Sequence, residues 1–389
     1  MLGNMFYSYA TMLLNLIVIY FTAIHFGLEV RGEIQLYLSY KIMIGAISSL
    51  GLSTGYLYFW KEKKHFISPL FIFAIVSIVA LLITLFSKEY TYDVELDYLL
   101  FLVVIEALNI SALELLKKDD SLSAYFKGLF LGQCTTLCLF LSFIFLEVQP
   151  SKLIAIYIGG GVLQLVYLLM ALYKIYGLNN LFKLKPDLPY AKVPEYWFYL
   201  GGVSISAILT TFILNFDKIF IAKHLSMTEL GIYSTIGSVM MIINRFFNVL
   251  AMTYFAKRIN SKGNILEVKY TYIIPFIILI AILSYVIGPY ILSVAISKEF
   301  EQTGLVIALL LTAALFSGIN AIVLQDFNVM GKPHYNIPRQ VITFIVLLMN
   351  LMIFDFLAIE GIALAIMITS IFRLITAEFL RKKLIHVKP

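Results

Sequence analysis

Residues 204–222, SISAILTTFILNFDKIFIA, decide how this chain is read. The stretch is apolar enough to cross a bilayer, yet it carries Asp217 and Lys218. At helical spacing Ser204, Ile208, Thr211, Asn215, Lys218 and Ala222 share one face, because steps of three and four return to the same side of a helix. The result is a polar stripe on an apolar helix. A second stripe opens the chain: Asn4, Ser8, Thr11, Asn15, Val18 and Thr22. Thr11 and Asn15 match Thr211 and Asn215 at an offset of 200. Further on, FGLEVRGEIQLY (26–37) echoes HLSMTELGIYS (224–234), with Gly32 against Gly231 at an offset of 199. The spacing predicts two halves of one fold, each opening with a polar-striped helix.

Composition sets the class. The chain is 61% hydrophobic and 13% charged, whereas a soluble domain is roughly 45–50% apolar. Apolar runs recur along all 389 residues, which predicts a polytopic membrane protein of about twelve helices joined by short loops, with no separate soluble domain. The formal charge of +6 is then read as lysines in cytoplasmic loops, not as a nucleic-acid surface. The first apolar run, 5–26, is too long for a signal-peptide core and lacks a small-residue cleavage site, so no cleavable signal is expected. Cys134 and Cys138, the only cysteines, lie one turn apart inside an apolar run and are expected to form neither a disulfide nor a metal site.

Twelve spans are predicted: 5–26, 34–59, 67–87, 95–116, 122–147, 152–173, 197–223, 230–256, 269–296, 302–325, 337–357 and 361–383. The fourth is the most polar, holding Glu95, Asp97, Glu106 and Glu114. Gly288-Pro289 is expected to end the ninth crossing early and leave 290–297 as an interfacial turn. With the N-terminus inside, the inner segments hold nineteen Lys and Arg and the outer segments five. That bias predicts both termini in the cytoplasm. The longest loop, 174–196, contains KLKPDLPYAKVP and falls where the repeat offset also puts a boundary. It is read as a cytoplasmic linker between an N-terminal six-helix lobe, 1–173, and a C-terminal one, 197–389. Six helices per half make the repeats parallel, about an axis along the membrane normal.

Five basic residues remain inside spans, Lys41, Lys127, Lys218, Arg245 and Arg373, against two acidic ones, Glu106 and Asp217. Charges at membrane depth are expensive and usually face a bundle interior or a watery cavity. The positive excess favours an anionic substrate such as a phosphate group. Each residue also has a plainer reading. Lys218 ends the polar stripe and is either a cavity cation or half of a structural ion pair. Asp217 lies about 100° round the helix from Lys218, so it is expected to pair elsewhere or to bind a coupling ion. Arg245 and Arg373 are mid-span. Lys41 and Lys127 are near enough to span ends to snorkel. Glu106 is a protonatable carrier or the partner of a lysine. Asn15 and Asn215 line a shared central cleft or make ordinary interhelical hydrogen bonds. Gly159, Gly160 and Gly161 predict close helix packing or a hinge, not binding. No GxxxxGK[ST] or HExxH pattern occurs in the sequence, so ATP use and a metal centre are not expected.

The sequence resembles the Wzx-type O-antigen and polysaccharide flippases, within the superfamily that also holds multidrug and toxin extruders and the peptidoglycan-precursor flippase. The resemblance rests on LLNLIVIYFTAIHFGLEVRGEIQLY (13–37), SSLGLSTGYLYF (48–59), LNFDKIFIAKHLSMTELGIYSTI (214–236) and VMGKPHYN (329–336). It implies an all-α protein with two pseudo-symmetric six-helix lobes around a central cavity. It implies no enzyme activity and no cofactor. The implied function is movement of an undecaprenyl-pyrophosphate-linked oligosaccharide across the bacterial inner membrane, by alternating access, for lipopolysaccharide or related surface glycans. Lys218, Arg245 and Arg373, with Lys41 and Lys127, would then hold the pyrophosphate, and Asn15 and Asn215 would line the cleft. Asp217 or Glu106 would couple a proton or sodium ion. A polysaccharide polymerase and a chain-length regulator are the expected protein partners. Lysine stands here where the family often uses arginine, so phosphate contacts would be point-like rather than bidentate. The main rival is a drug or cation antiporter of the same fold, which calls for a net acidic cavity. A polymerase would need a long outer loop, and none is expected.

Overall fold

The computed structural model describes residues 2–50, 52–53, 69–87, 95–116, 122–146, 152–182, 193–260, 270–329 and 336–386, with only the backbone described at some of them, Arg245 included. The described residues are nearly all helical and contain no strand. Among the described residues there are eleven long helices: α1 (Leu2–Ser49), α2 (Pro69–Phe86), α3 (Leu96–Leu115), α4 (Leu122–Phe145), α5 (Ile154–Phe182), α6 (Val193–His224), α7 (Met227–Asn260), α8 (Tyr270–Ala295), α9 (Gly304–Val329), α10 (Asn336–Phe354) and α11 (Ala358–His386). Helix α1 is broken at Gly27, whose φ of 85° is open to glycine at little cost, so α1 supplies the first predicted span and the second as far as Ser49, residues 54–59 of that span lying outside the described residues. Nine stretches of the described residues are long and apolar enough to cross a membrane, and two of these are of double length. Large apolar side chains stand outward along them, among them Phe86, Phe145, Val294 and Met352. Such a surface is solvated by lipid and not by water. The protein is a multi-pass membrane protein.

The chain forms two compact units, one of residues 1–26 and 33–215, the other of residues 27–32 and 216–389. In the first, α2 packs on α3, and α5 packs on both α3 and α4. Asn109 Nδ2 donates to the Gly161 carbonyl at 3.0 Å and the Tyr176 hydroxyl donates to the Leu115 carbonyl at 3.1 Å. The glycine run 159–161 packs closely as expected, since Cβ atoms there would press on Leu139, Thr136 and Ile105 respectively. In the second unit α9 is central, packed on α7, α8 and α11, with α10 on α11.

Two local expectations change. Helix α8 runs unbroken through Pro289. Proline removes the bond to the carbonyl four residues back, here that of Tyr285. Gly304 packs against that carbonyl so closely that a Cβ would lie 2.7 Å from it. The predicted interfacial turn at 290–297 is therefore helix as far as Ala295. The expected linker loop 174–196 is also largely helical at its ends. Helix α5 continues to Phe182 with a break at Gly177, and α6 begins at Val193-Pro194, with proline near the N-terminus where its missing N–H costs nothing. Residues 183–192 lie outside the described residues.

The repeat is visible in how its two copies are interrupted. The break at Gly27 corresponds, at the offset of 199, to Ser226 between α6 and α7. At that second place a serine N-cap replaces the glycine: the Ser226 hydroxyl accepts from the Glu229 N–H at 3.1 Å and donates to the Glu229 carboxylate at 3.1 Å. Within the second unit these two sites touch reciprocally. A Cβ on Gly32 would collide with the Met227 carbonyl, and one on Gly231 would collide with the Leu28 carbonyl. Leu28 and Met227 are themselves 199 apart. Two backbones meet here with no side chain between them.

Candidate functional site

The polar stripe of α1 faces inward. Ser8, Val18 and Thr22 are buried, whereas Leu13, Ile17, Tyr20 and Ile24 are exposed. Thr22 and Thr11 return their hydroxyls to carbonyls four residues back, Val18 and Tyr7, which leaves the helix surface less polar than the sequence implies. Asn15 accepts a long hydrogen bond, 3.5 Å, from Gln133 on α4. Along the same α1–α4 contact the Tyr7 ring lies beside Phe130, and the Lys127 ammonium sits 5.9 Å from the Tyr7 ring centre. Lys127 is exposed. Asn15 thus has an interhelical partner within the first unit, and Lys127 has a cation–π contact of modest worth. Asn215 is half-buried and donates to the Thr211 carbonyl of its own helix at 2.9 Å.

On α6 the buried residues are Ser204 and Ala222 at the two ends of the expected stripe, with Ile213, Asp217 and Ile221 one step round the helix from its middle, where Thr211, Asn215 and Lys218 are half-buried. Asp217 is 5% exposed and accepts a 2.5 Å hydrogen bond from the Tyr233 hydroxyl on α7. Its other oxygen lies 3.6 Å from the Lys218 ammonium. The expectation that Asp217 and Lys218 look away from each other is therefore corrected. Their Cα atoms do diverge by about 100°, but the four-carbon lysine stem is long enough to bring its ammonium back. Of the two charged residues, Asp217 is the more deeply buried.

Lys41 and Glu106 form an ion pair of 2.9 Å between α1 and α3, both partly exposed. Glu106 packs its Cγ over Gly45, where a Cβ would stand 3.2 Å away. Of the readings open to these residues, mutual partnership is the one the geometry shows. Breaking such a pair from one side strands a charge, which costs about 3–5 kcal/mol when buried, whereas removing both is often nearly neutral. K41M alone is therefore expected to lower the thermal stability of detergent-purified protein more than the double variant K41M/E106L. A double variant at least as unstable as K41M would show that the pair contributes nothing as a pair.

The residues that sequence reasoning missed are arginines assigned to loops. Arg339, counted as an inner-loop cation, is 2% exposed near the start of α10. It donates to Asn336 Oδ1 from Nε and Nη2, at 3.0 and 2.6 Å. Its Nη1 donates to Asn320 Oδ1 at 2.8 Å and to the Arg373 carbonyl at 3.1 Å. Arg381, also counted inside, is buried and paired with Glu378 at 2.6 Å. Arg31, counted outside, is 1% exposed. Dropping two inner cations and one outer one leaves the bias of charge in place. The signal available for Arg339 was Asn336 three residues earlier, together with Asn320 in the middle of an apolar helix. Arg373 itself is 8% exposed, and its Nε has no hydrogen-bond partner among the described residues. For Arg245 only its place in α7 is described. Among the described residues no group of His, Cys, Asp and Glu could hold a metal ion, and both cysteines are free thiols.

No family model matches the sequence, and no curated protein matches it. The fold does find relatives among solved structures. One is the lipid II flippase MurJ in an inward closed conformation, with a TM-score of 0.75 at 13% identity over 98% of this chain and 88% of that one. Another is an inward-facing multidrug resistance MATE transporter of the MOP superfamily, with a TM-score of 0.63 at 13% identity over 97% and 96%. A mutant of the Vibrio cholerae MATE transporter VcmN gives 0.55 at 13% identity over 99% and 95%. At such identities the likeness shows the fold, and the fold is that of this group of two-lobed helical transporters.

Proposed function

We propose that this protein is a flippase that moves a lipid-linked oligosaccharide, of the undecaprenyl-pyrophosphate kind, from the inner to the outer leaflet of a bacterial cell membrane by alternating access. The observation that carries the proposal is a surplus of buried cation. Arg339 and Arg373 lie inside the second unit with no carboxylate beside either among the described residues. An uncompensated charge at membrane depth is expensive, and an anionic substrate offsets that expense. The likeness to a solved lipid II flippase supports the same choice. Lys218, Arg245 and Arg373 are assigned to the pyrophosphate, with Lys41 and Lys127 as accessory cations and Asn15 and Asn215 as cleft residues. Both termini are placed in the cytoplasm, and a glycan polymerase and its chain-length regulator are the partners. Asp217 or Glu106 is the coupling group for a proton or a sodium ion.

A drug or cation antiporter of the same fold is the second reading. Its favouring observation is Asp217, a buried carboxylate shared with Tyr233 and available to a cation, together with the likeness to multidrug transporters. Proteoliposomes separate the two. With a fluorescent lipid-linked oligosaccharide in the bilayer, a flippase equilibrates the probe between leaflets within minutes and protein-free vesicles do not. Vesicles that leave this probe unmoved but extrude a cationic dye along a proton or sodium gradient would overturn the first reading in favour of the second.

A further inference from the structure

The second predicted span, 34–59, is one apolar run, but the chain does not fold it as one helix. Helix α1 stops at Ser49, Leu50 takes a φ of 46°, and Leu52 and Ser53 are helical again. The interruption falls in SSLGLSTGYLYF (48–59), a stretch to which the proposed function gives no part. A left-handed backbone is costly for L-residues other than glycine, asparagine and aspartate. Among the described residues only Leu50 and Ala358 adopt it without being glycine. Ala358 stands at the junction of α10 and α11, whereas Leu50 lies inside an apolar run. Such strain persists only where the surroundings hold it.

The holder is on α6. The Ser204 hydroxyl donates to the Leu50 carbonyl at 2.5 Å, and both residues belong to the first unit. In an unbroken helix that carbonyl would accept from the N–H four residues on. A second group is also out of place. Ser53 is 3% exposed, and its hydroxyl is enclosed with no hydrogen-bond partner among the described residues. Ser48 and Thr84, also buried, return their hydroxyls to the carbonyls four residues back, those of Ile44 and Ala80. For Ser53 the corresponding carbonyl is that of Ser49, on the far side of the interruption. Straightening the helix would relax Leu50 and give Ser53 its acceptor, at the loss of the bond from Ser204. Opposed terms of similar size, each local to one position, make a two-state element.

We infer that the second half of α1 carries a kink-to-straight switch at Leu50, and that the Ser204 hydroxyl of α6 holds the kinked form. Ser204 is a positioning residue and touches no substrate. Resting on the proposed function, the switch is a step of the transport cycle.

The experiment uses the full-length protein in lipid nanodiscs and reads amide hydrogen exchange of the peptide 50–57 together with thermal unfolding. S204A removes the bond that holds the kink. It is expected to shift the balance toward the straight form by about threefold to tenfold, as loss of one neutral hydrogen bond should, and so to slow exchange in 50–57. L50G and L50A both truncate the side chain, but only glycine is at ease with a positive φ. Inside an ordinary helix alanine is the more stabilising of the two. At Leu50 the order is expected to reverse, with L50G melting above L50A and exchanging faster in 50–57. Exchange in S204A no slower than in the native chain would overturn the switch and make Ser204 a fixed cap. L50G melting below L50A would overturn the strain at Leu50, and this comparison decides alone where S204A is too unstable to purify. In vesicles L50G is expected to flip the lipid-linked probe about tenfold more slowly than L50A. Equal rates, with exchange responding as expected, would overturn the place of the switch in the transport cycle. A native chain that flips nothing, with the same exchange response, would overturn the flippase reading and leave the switch standing.

Discussion

K218Q/R245Q/R373Q, which removes the three cations assigned to the pyrophosphate, is expected to abolish glycan export while the protein still inserts in the membrane. A charge-assisted hydrogen bond contributes about 1.5–3 kcal/mol. Three lost together lower productive binding by about a thousandfold or more, at tenfold per 1.4 kcal/mol. Lys218 has a second tie, since its ammonium lies 3.6 Å from Asp217. The expected phenotype therefore includes a change in ion coupling, because Asp217 loses its neighbouring positive charge while keeping the Tyr233 hydroxyl. The measurement is surface glycan in cells whose only flippase is the variant, with the membrane fraction assayed for the protein. Normal surface glycan from a well-inserted triple variant would remove these residues from the substrate path.

The second large effect concerns a residue that touches no substrate. Gly231→Ala adds a single methyl group where the Leu28 carbonyl already sits. Backbone cannot rotate aside as a side chain does, so the α6–α7 corner or the 27–32 segment must move. Overpacking costs typically 1–3 kcal/mol and occasionally more, and a rigid backbone neighbour puts this case at about 3 kcal/mol or above. Gly237, two turns along α7, meets nothing within 4 Å of a built Cβ. Gly237→Ala is expected to stabilise the helix by about 0.5–1 kcal/mol. The pair thus gives opposite signs on one helix. Thermal unfolding of the two purified variants reads the difference, and equal melting temperatures would mean that the reciprocal glycine contact does not constrain the fold.

The repeat was legible in sequence, but its register was not. Thr11 and Asn15 against Thr211 and Asn215 point to an offset of 200. The breaks at Gly27 and Ser226, and the reciprocal contact of Gly32 and Gly231, point to 199. Burial agrees with 199, because Val18, fully buried, then answers to Asp217, 5% exposed, and Thr22 answers to Ile221. Two matching polar residues are weak evidence of register, since threonine and asparagine recur on many membrane helices. A helix interruption is stronger evidence, since it fixes where the chain turns. The consequence is chemical: the second half carries a carboxylate where the first carries valine.

What the sequence determined by itself was everything that depends on solvent preference. Long apolar runs must be helices that satisfy their own backbone in lipid, so the membrane class, the helices and even the acidic fourth span could be read directly. It also delivered the residue types that are costly at depth. What only the tertiary structure decided was which charges meet. Lys41 finds Glu106 from 65 residues away, Lys218 bends back to Asp217, and Arg339 leaves its expected loop to tie three helices. Partnership between long side chains depends on distances of a few ångströms across helix contacts. Those distances are set by packing, which one-dimensional periodicity does not encode.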